Sequence, residues 1–469
     1  FIHKKGEKSN PSNFRSIAIQ NPFLKIFTST MAHRILTYAE NNNLFPNFKF
    51  GFRKKHSTVS AATLLFEAAN SRLNSRPKSL KTFVCFVDFA KCFDSIRRDI
   101  LFVKLQRLGF PPSLCSTLHF IYKNTKFFIR SGIHLIESFE SSIGLPQGCC
   151  LSPILFCLFV SDLPECLPHD GVSCGTFFLK YLQFADDLAL IAASATELQT
   201  AIDALDRYCK ENFLNINVDK TKILVFHRGR LPKLAFYLNG KEIEQVSSFT
   251  YLGFTFSPQL SFTRHVENLN SKASSRCGLL LSKLSNLNIP LNVFLELFNC
   301  YILPTYTYGL NLWLGRASDG VMEAANSVFT KFLKRYLGVP YRAQSSITHF
   351  LTQSDPLSTI LQQQYQKSFS SLTFPSCTNG LQLSQTTRIP ELYNPLPLIP
   401  SYFWRSKYPG FLPLYARSRS MLCHEIFNLN HLDFCTNAQF HVTPGEDCLC
   451  VDCGDPVMSY HQYFCQNIK

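Results

Sequence analysis

The chain has 469 residues, 46% of them hydrophobic and 14% aromatic, which is enough apolar material for more than one core and excludes a disordered chain. Lysine and arginine number 47 against 32 aspartate and glutamate, a net charge of +15 that favours polyanionic partners, nucleic acid first. The 18 cysteines are scattered with no apolar leader before them, and no stretch reaches the roughly 20 apolar residues of a membrane span, so neither a secreted disulfide scaffold nor a membrane partner is expected.

The first 80 residues are basic and loop-rich, with Lys4, Lys5, Lys8, Arg15, Arg53, Lys54 and Lys55. A helix is predicted from about Phe23 to Glu40, broken by the run Asn41 to Asn43, and a second covers Thr58 to Leu73. Phe83 to Val87 is a dense apolar run that ends at Asp88 and reads as a buried strand. Ser95 is placed to cap a following helix in which Ile96, Ile100, Leu101, Leu105 and Leu108 recur at helical spacing, with Gly109 at its stop.

Gly144 to Gly148 is turn-rich, and Leu151 to Leu163 reads as a buried helix with Pro153 in its first turn. A strand is predicted over Phe177 to Phe184, a tight turn over Ala185, Asp186 and Asp187, and a returning strand over Leu188 to Ala192. Thr196 to Gln199 (TELQ) fits a capping box, and the helix behind it carries Leu198, Ala201, Ile202, Leu205, Cys209 and Phe213 on one face. Ile223 to Phe226 is a further strand. The order strand, helix, strand, strand, helix, strand is that of a split βαβ, ferredoxin-like sheet, in which the end of the first strand can lie beside the tip of the central hairpin. Residues 247–345 read as mainly helical after a short strand at Tyr251 to Phe256.

Asp88, Asp186 and Asp187 are acidic residues at strand ends next to apolar sequence. A lone aspartate there reads as a turn residue. Three brought together need cations, and carboxylate oxygens suit Mg²⁺ or Mn²⁺. Two such ions can activate an attacking hydroxyl and stabilise a leaving pyrophosphate in line.

Around these aspartates the sequence resembles the polymerase motifs of reverse transcriptases. Phe86 to Ile96 (FVDFAKCFDSI) is similar to motif A, Gly144 to Phe156 (GLPQGCCLSPILF) to motif B and Tyr181 to Leu190 (YLQFADDLAL) to motif C. Lys220 to Phe226 (KTKILVF) is similar to motif D, and Tyr251 to Phe254 (YLGF) to the primer grip, motif E. Upstream, Asn13 to Ile17 (NFRSI) and Gly51 to Thr58 (GFRKKHST) resemble the fingers motifs of the non-LTR, LINE-type (jockey-like) retrotransposon branch. Phe184, Cys92 and Cys149 depart from the residues common at their positions, and none of the three removes a metal ligand.

The resemblance implies an α+β right-hand polymerase: fingers at 1–80, a ferredoxin-like palm at 81–246, primer grip and helical thumb at 247–345, a connecting region at 346–440 and a zinc-knuckle-like module at 441–469. It implies an RNA-directed DNA polymerase that takes an RNA template, a DNA primer and deoxynucleotides. Two Mg²⁺ (or Mn²⁺) ions would be held by Asp88, Asp186 and Asp187. Phe93 would be the steric gate against a 2′-hydroxyl, which speaks against an RNA-synthesising polymerase. Gln147 and Gly148 would meet the incoming nucleotide, and Arg53, with Arg15 as a weaker candidate, the triphosphate. Lys220 or Lys222 would protonate the leaving pyrophosphate, and spacing does not choose between them.

Cys450, Cys453, His461 and Cys465 have the ligand types and spacing of a compact structural zinc site, with Cys448 an alternative ligand. Without a methionine before Phe1, the chain reads as part of a longer protein whose nicking endonuclease lies upstream, and a nuclear and cytoplasmic location is expected. The alternative is an inactive, retrotransposon-derived nucleic-acid-binding relic.

Overall fold

A computed structural model describes residues 2–368, apart from residues 4–5, 11–12, 76–78, 132–133, 137, 176, 231–233, 286 and 288. The expected zinc ligands Cys450, Cys453, His461 and Cys465, and Cys448, lie outside the described residues.

The apolar run before Asp88 forms strand β1 (Thr82–Asp88), buried along its length until the aspartate itself. It is the third of five strands. The central hairpin supplies β2 (Tyr181–Phe184) and β3 (Asp187–Ala192); β4 (Lys222–Phe226) and the short β5 (Glu244–Gln245) complete the order β2-β3-β1-β4-β5. The first four are antiparallel, and β5 joins β4 in parallel. Taken in chain order, these four strands lie as fourth, first, third, second across the sheet, as a split βαβ unit requires. Helix Ala195–Glu211 packs on β1 and β3, and helix Thr58–Leu73 on β1 and β2. Cover of this kind explains why β1 reads as unbroken apolar sequence rather than alternating.

Side chains alternate along a strand, so Phe86 and Asp88 share one face of β1. On that face the hairpin Phe249–Tyr251 with Phe254–Phe256 packs, the ring of Phe249 stacking on Phe86 with centroids 4.3 Å apart. Leu252 and Gly253 both have positive φ, the geometry of a two-residue hairpin turn.

Both early helices form where expected, over Pro22–Asn41 and Thr58–Leu73, and Asn43 at φ 53° turns the chain after the first. Five local expectations are corrected. Ser95 does not cap a helix; it closes a short one, Cys92–Ser95, and the next runs Arg98–Arg107 without a side-chain cap. The buried helix after the Pro-Gln-Gly turn stops early, at Ser152–Phe159. Phe177 to Phe184 is two strands, because Phe177–Leu179 pairs back on Val172–Cys174 instead of joining the main sheet. The capping box sits two residues earlier than read. Ser194 Oγ accepts the Glu197 N–H at 3.2 Å, and Glu197 Oε2 accepts the Ala193 N–H at 3.0 Å. Phe213 lies past that helix's end, exposed, with the Arg97 guanidinium over its ring.

The chain divides into two compact units; the sheet belongs to the first, which among described residues comprises stretches within 2–265, 311–318 and 365–368. The second, drawn from residues 266–310 and 319–364, is helical. Its core is aromatic: Phe294 of helix Leu291–Tyr301 stacks on Phe332 of helix Asp319–Leu337 at 4.2 Å, and Phe298 meets Phe329 at 4.2 Å. Among the described residues no helix is long and apolar enough to cross a membrane.

Candidate active site

Register sets the site. In the β1/β3 ladder Asp88 is the direct partner of Asp187, and in the β2/β3 hairpin Phe184 is the partner of Asp187. The hairpin loop is therefore Ala185 and Asp186 alone, with Ala185 at φ 56° as a two-residue turn demands at its first position. Three carboxylates separated by up to 99 positions of sequence meet at one end of the sheet. Directly opposed residues hold their Cβ atoms about 4.5–5.5 Å apart, and like charges so placed repel.

The electrostatics carry that cost. The Asp187 carboxyl is pushed up to about 6, by burial first and then by the charges of Asp186 and Asp88. Asp187 is nevertheless an exposed residue at the strand end, so the burial behind this shift is partial. Cys92, one of the departures from motif A, lies behind this cluster; burial, and secondarily the Asp186 charge, push its thiol up to about 12. Cys92 is thus a buried apolar filler here, with no chemistry of its own.

A cation already faces the site. Lys220 Nζ lies 3.4 Å from Asp88 Oδ2. The loop before β4 puts it there, since Asn217 N–H donates to the Asp88 carbonyl at 2.8 Å and Asp88 N–H to Thr221 Oγ1 at 3.3 Å. Lys222 is engaged elsewhere, on Glu244 Oε2 and the Asp219 carbonyl, both at 2.6 Å. Geometry separates two lysines that spacing could not.

An all-oxygen donor set with mutually repelling carboxylates fits a hard divalent ion. The three aspartates stand as neighbours, not as a closed cage: among the described residues no three acidic, His or Cys side chains converge tightly enough to enclose an ion.

The expected nucleotide-binding residues are partly brought together. Phe93, half-buried on helix Cys92–Ser95, stacks on Phe156 with centroids 4.8 Å apart. The Pro-Gln-Gly loop is bonded to the same helix: Leu145 N–H donates to the Phe93 carbonyl at 2.7 Å and Gln147 Nε2 to Asp94 Oδ1 at 3.3 Å. Gly148, at φ 107°, has no room for a side chain, because a Cβ there would stand 2.5 Å from the Ala18 carbonyl oxygen.

Arg53, expected to meet the triphosphate, is instead engaged within the protein. Its guanidinium forks onto Glu40 at 2.9 and 2.8 Å, donates to the Pro46 and Lys49 carbonyls at 3.2 Å each, and lies over Phe45. With only one N–H left over, it anchors the 45–53 loop. Arg15, the weaker candidate, is exposed.

Two features escaped the sequence reading. The segment Phe48 to Gly51 clips the outer edge of β2: Gln183 N–H donates to the Phe48 carbonyl at 3.0 Å, and Phe50 N–H to the Gln183 carbonyl at 2.7 Å. Gly51 then abuts Ala185 at the hairpin tip. Arg98 is the second. It is a charged residue in phase with the apolar stripe Leu101 and Leu105, which was the available signal.

The fold and these carboxylates define a member of a nucleic-acid polymerase class. The reverse transcriptase (RNA-dependent DNA polymerase) family profile matches residues 2–256, and the chain belongs to that family. Among its relatives is the RNA-directed DNA polymerase from mobile element jockey of Drosophila melanogaster, 26% identical over 357 residues, which cover 72% of this chain and 37% of that protein. The probable RNA-directed DNA polymerase from transposon BS of the same species is 24% identical over 358 residues, covering 74% and 39% of the two chains. The chain thus spans well under half of either relative. A telomerase from Candida tropicalis, solved with a fragment of telomeric RNA, overlaps 76% of this chain and 57% of its own at 14% identity and a TM-score of 0.40.

Proposed function

We propose that the chain is the polymerase portion of a non-LTR retrotransposon reverse transcriptase, extending a DNA primer with deoxynucleotides on an RNA template. The observation that carries this reading is the register that sets Asp88 against Asp187, with Asp186 in the two-residue turn beside them. Asp88, Asp186 and Asp187 would hold two Mg²⁺ or Mn²⁺ ions. When bound, these supply activation of the primer 3′-hydroxyl and charge stabilisation at the leaving pyrophosphate.

The chain's own residues do the rest. Lys220 Nζ, the site-facing lysine, donates a proton to the pyrophosphate oxygen as it leaves. The Phe93 ring, braced by Phe156, excludes a 2′-hydroxyl below the sugar. Gln147 and the bare Gly148 backbone take the nucleotide, and Arg15, exposed and three residues before Ala18, whose N–H donates to the Gln147 carbonyl at 2.7 Å, is the remaining fingers arginine for its phosphates. In this reading the first unit contains fingers and palm and the helical second unit is the thumb. The cysteine-histidine set at the C-terminal end holds a structural zinc ion, and an element-encoded endonuclease supplies the nick.

The test is primer extension on an RNA template with deoxynucleotides and Mg²⁺, comparing the parent chain with Asp186→Ala. Extension by the parent alone supports the reading. Equal extension by both removes the metal assignment, and none by a folded parent that binds primer–template favours an inactive relic.

A further inference from the structure

Arg98 opens the helix Arg98–Arg107 and is only 7% exposed. A cation at that position runs against the helix dipole, which favours negative charge in the first turn. Burying it without a carboxylate is costly as well. None of its hydrogen-bond partners is acidic. The guanidinium donates to the carbonyls of Gly144 at 2.9 Å and Ile143 at 3.1 Å, to that of Ser141, and more weakly to that of Tyr122 at 3.5 Å. It lies over the Tyr122 ring, 4.9 Å from the centroid.

These acceptors are consecutive in purpose. Residues 141–144 are the lead into the Pro-Gln-Gly loop, and the same stretch is bonded to the Phe93 helix, Gly144 N–H donating to the Ile96 carbonyl at 2.8 Å. At the loop's far side, Ser152 Oγ donates to the Pro146 carbonyl at 2.7 Å. Arg98 is therefore the internal clamp on the lead-in side of the segment that carries Gln147 and Gly148, while Gln147 itself is bonded to Asp94 at 3.3 Å and its carbonyl accepts the Ala18 N–H at 2.7 Å. A planar fork suits several carbonyls spread over an arc, and an ammonium on a flexible stem does not reproduce it.

We propose that Arg98 is a positioning residue for nucleotide selection, fixing the 141–148 loop against the Phe93 helix so that Gln147 and the Phe93 ring address one nucleotide together. This rests on the polymerase reading. Arg98 touches no reacting atom; it acts through the loop. Loss of the clamp lets loop and ring move independently, which weakens nucleotide capture and sugar discrimination while leaving the grip on primer–template unchanged.

The experiment is steady-state primer extension by the full chain and by Arg98→Lys, which keeps the charge and removes the fork. Measured are KM for dNTP, kcat, the preference for dNTP over rNTP, primer–template Kd and the thermal midpoint. The expected result is a KM for dNTP raised on the order of tenfold to a hundredfold, with a reduced dNTP preference, because small misplacements of positioning groups cost that much. Primer–template Kd should stay within about twofold of the parent. A folded Arg98→Lys with parental KM and preference, altered only in thermal midpoint or active fraction, overturns the proposal. If Arg98→Lys does not fold, Tyr122→Leu, which removes the ring under the guanidinium, is read by the same two outcomes. A parent that extends no primer fails the polymerase reading; an active parent with an indifferent Arg98→Lys fails only this inference.

Discussion

Replacing Gly51 with alanine adds one methyl group and should disable the site from outside it. The new Cβ would stand 2.3 Å from the Ala185 backbone nitrogen, 3.0 Å from its Cα and 3.2 Å from the Phe184 carbonyl carbon. All three are backbone atoms of the hairpin tip and cannot rotate aside. Ordinary contact needs about 1 Å more, so either the 48–51 segment or the tip must shift by about that amount. Gly51 is absent from the positive-φ residues, so the effect is steric and not one of backbone conformation. The 48–51 segment is tied by hydrogen bonds on both sides of Gln183, and a shift of the tip carries Asp186 with it. A displacement of about 1 Å at a reacting group costs on the order of 10²-fold in rate, and overpacking costs roughly 1–3 kcal/mol of stability. Primer extension read as kcat, beside a thermal melt, measures both. A Gly51→Ala protein with parental kcat would refute the close approach of this segment to the hairpin.

Lys220→Ala should lower kcat by on the order of 10²-fold, the usual weight of a general acid, whereas Lys222→Ala loses its ion pair with Glu244 and its bond to the Asp219 carbonyl, away from the aspartates, and should stay within about threefold; pre-steady-state extension that reversed this order would reassign the proton donor. Arg53→Ala should cost roughly 1.5–3 kcal/mol of stability through its lost fork on Glu40 and leave KM for dNTP unchanged. A raised KM with an unchanged melting point would return Arg53 to the triphosphate. Asp187 sits at about 6 against an ordinary 3.8, so the folded chain holds its proton more tightly than the unfolded chain. Its contribution to metal-free stability is therefore present in acid and fades as pH rises from about 4 to about 6, by a modest amount because Asp187 is exposed to solvent. Protons and a divalent ion compete there, so apparent Mg²⁺ affinity should weaken as pH falls through about 6. Isothermal titration showing the same affinity on both sides of that pH would contradict it.

Much of the sheet was readable because strand signals are local. Phe83 to Val87 is apolar enough to be a buried strand wherever it lies, and Ala185, Asp186 and Asp187 between two apolar runs leave a hairpin as the economical solution, although Asp187 proves to be the first residue of the returning strand. From those signals followed the strand order and the meeting of Asp88 with Asp187, since a split βαβ sheet brings the first strand beside the second arm of its hairpin. The capping errors at Ser95 and Thr196 have different origins. Ser194 and Thr196 both stood at the start of one helix, and only the path of the incoming chain selects between them, whereas the helix after Ser95 starts at Arg98 with no side-chain cap at all.

The sequence by itself determined the carboxylates, the strands that carry them and the family they belong to, because each is encoded in a run of neighbouring residues. Tertiary structure alone decided which cations stand beside them. Lys220, and not Lys222, faces Asp88 because hydrogen bonds tie Asp88 to a loop more than a hundred residues away. Arg53 is paired with a carboxylate on the preceding helix, and Arg98 with carbonyls of a loop more than forty positions on. Long charged side chains reach several ångströms in any direction, so their partners depend on which distant backbone the fold brings within that reach.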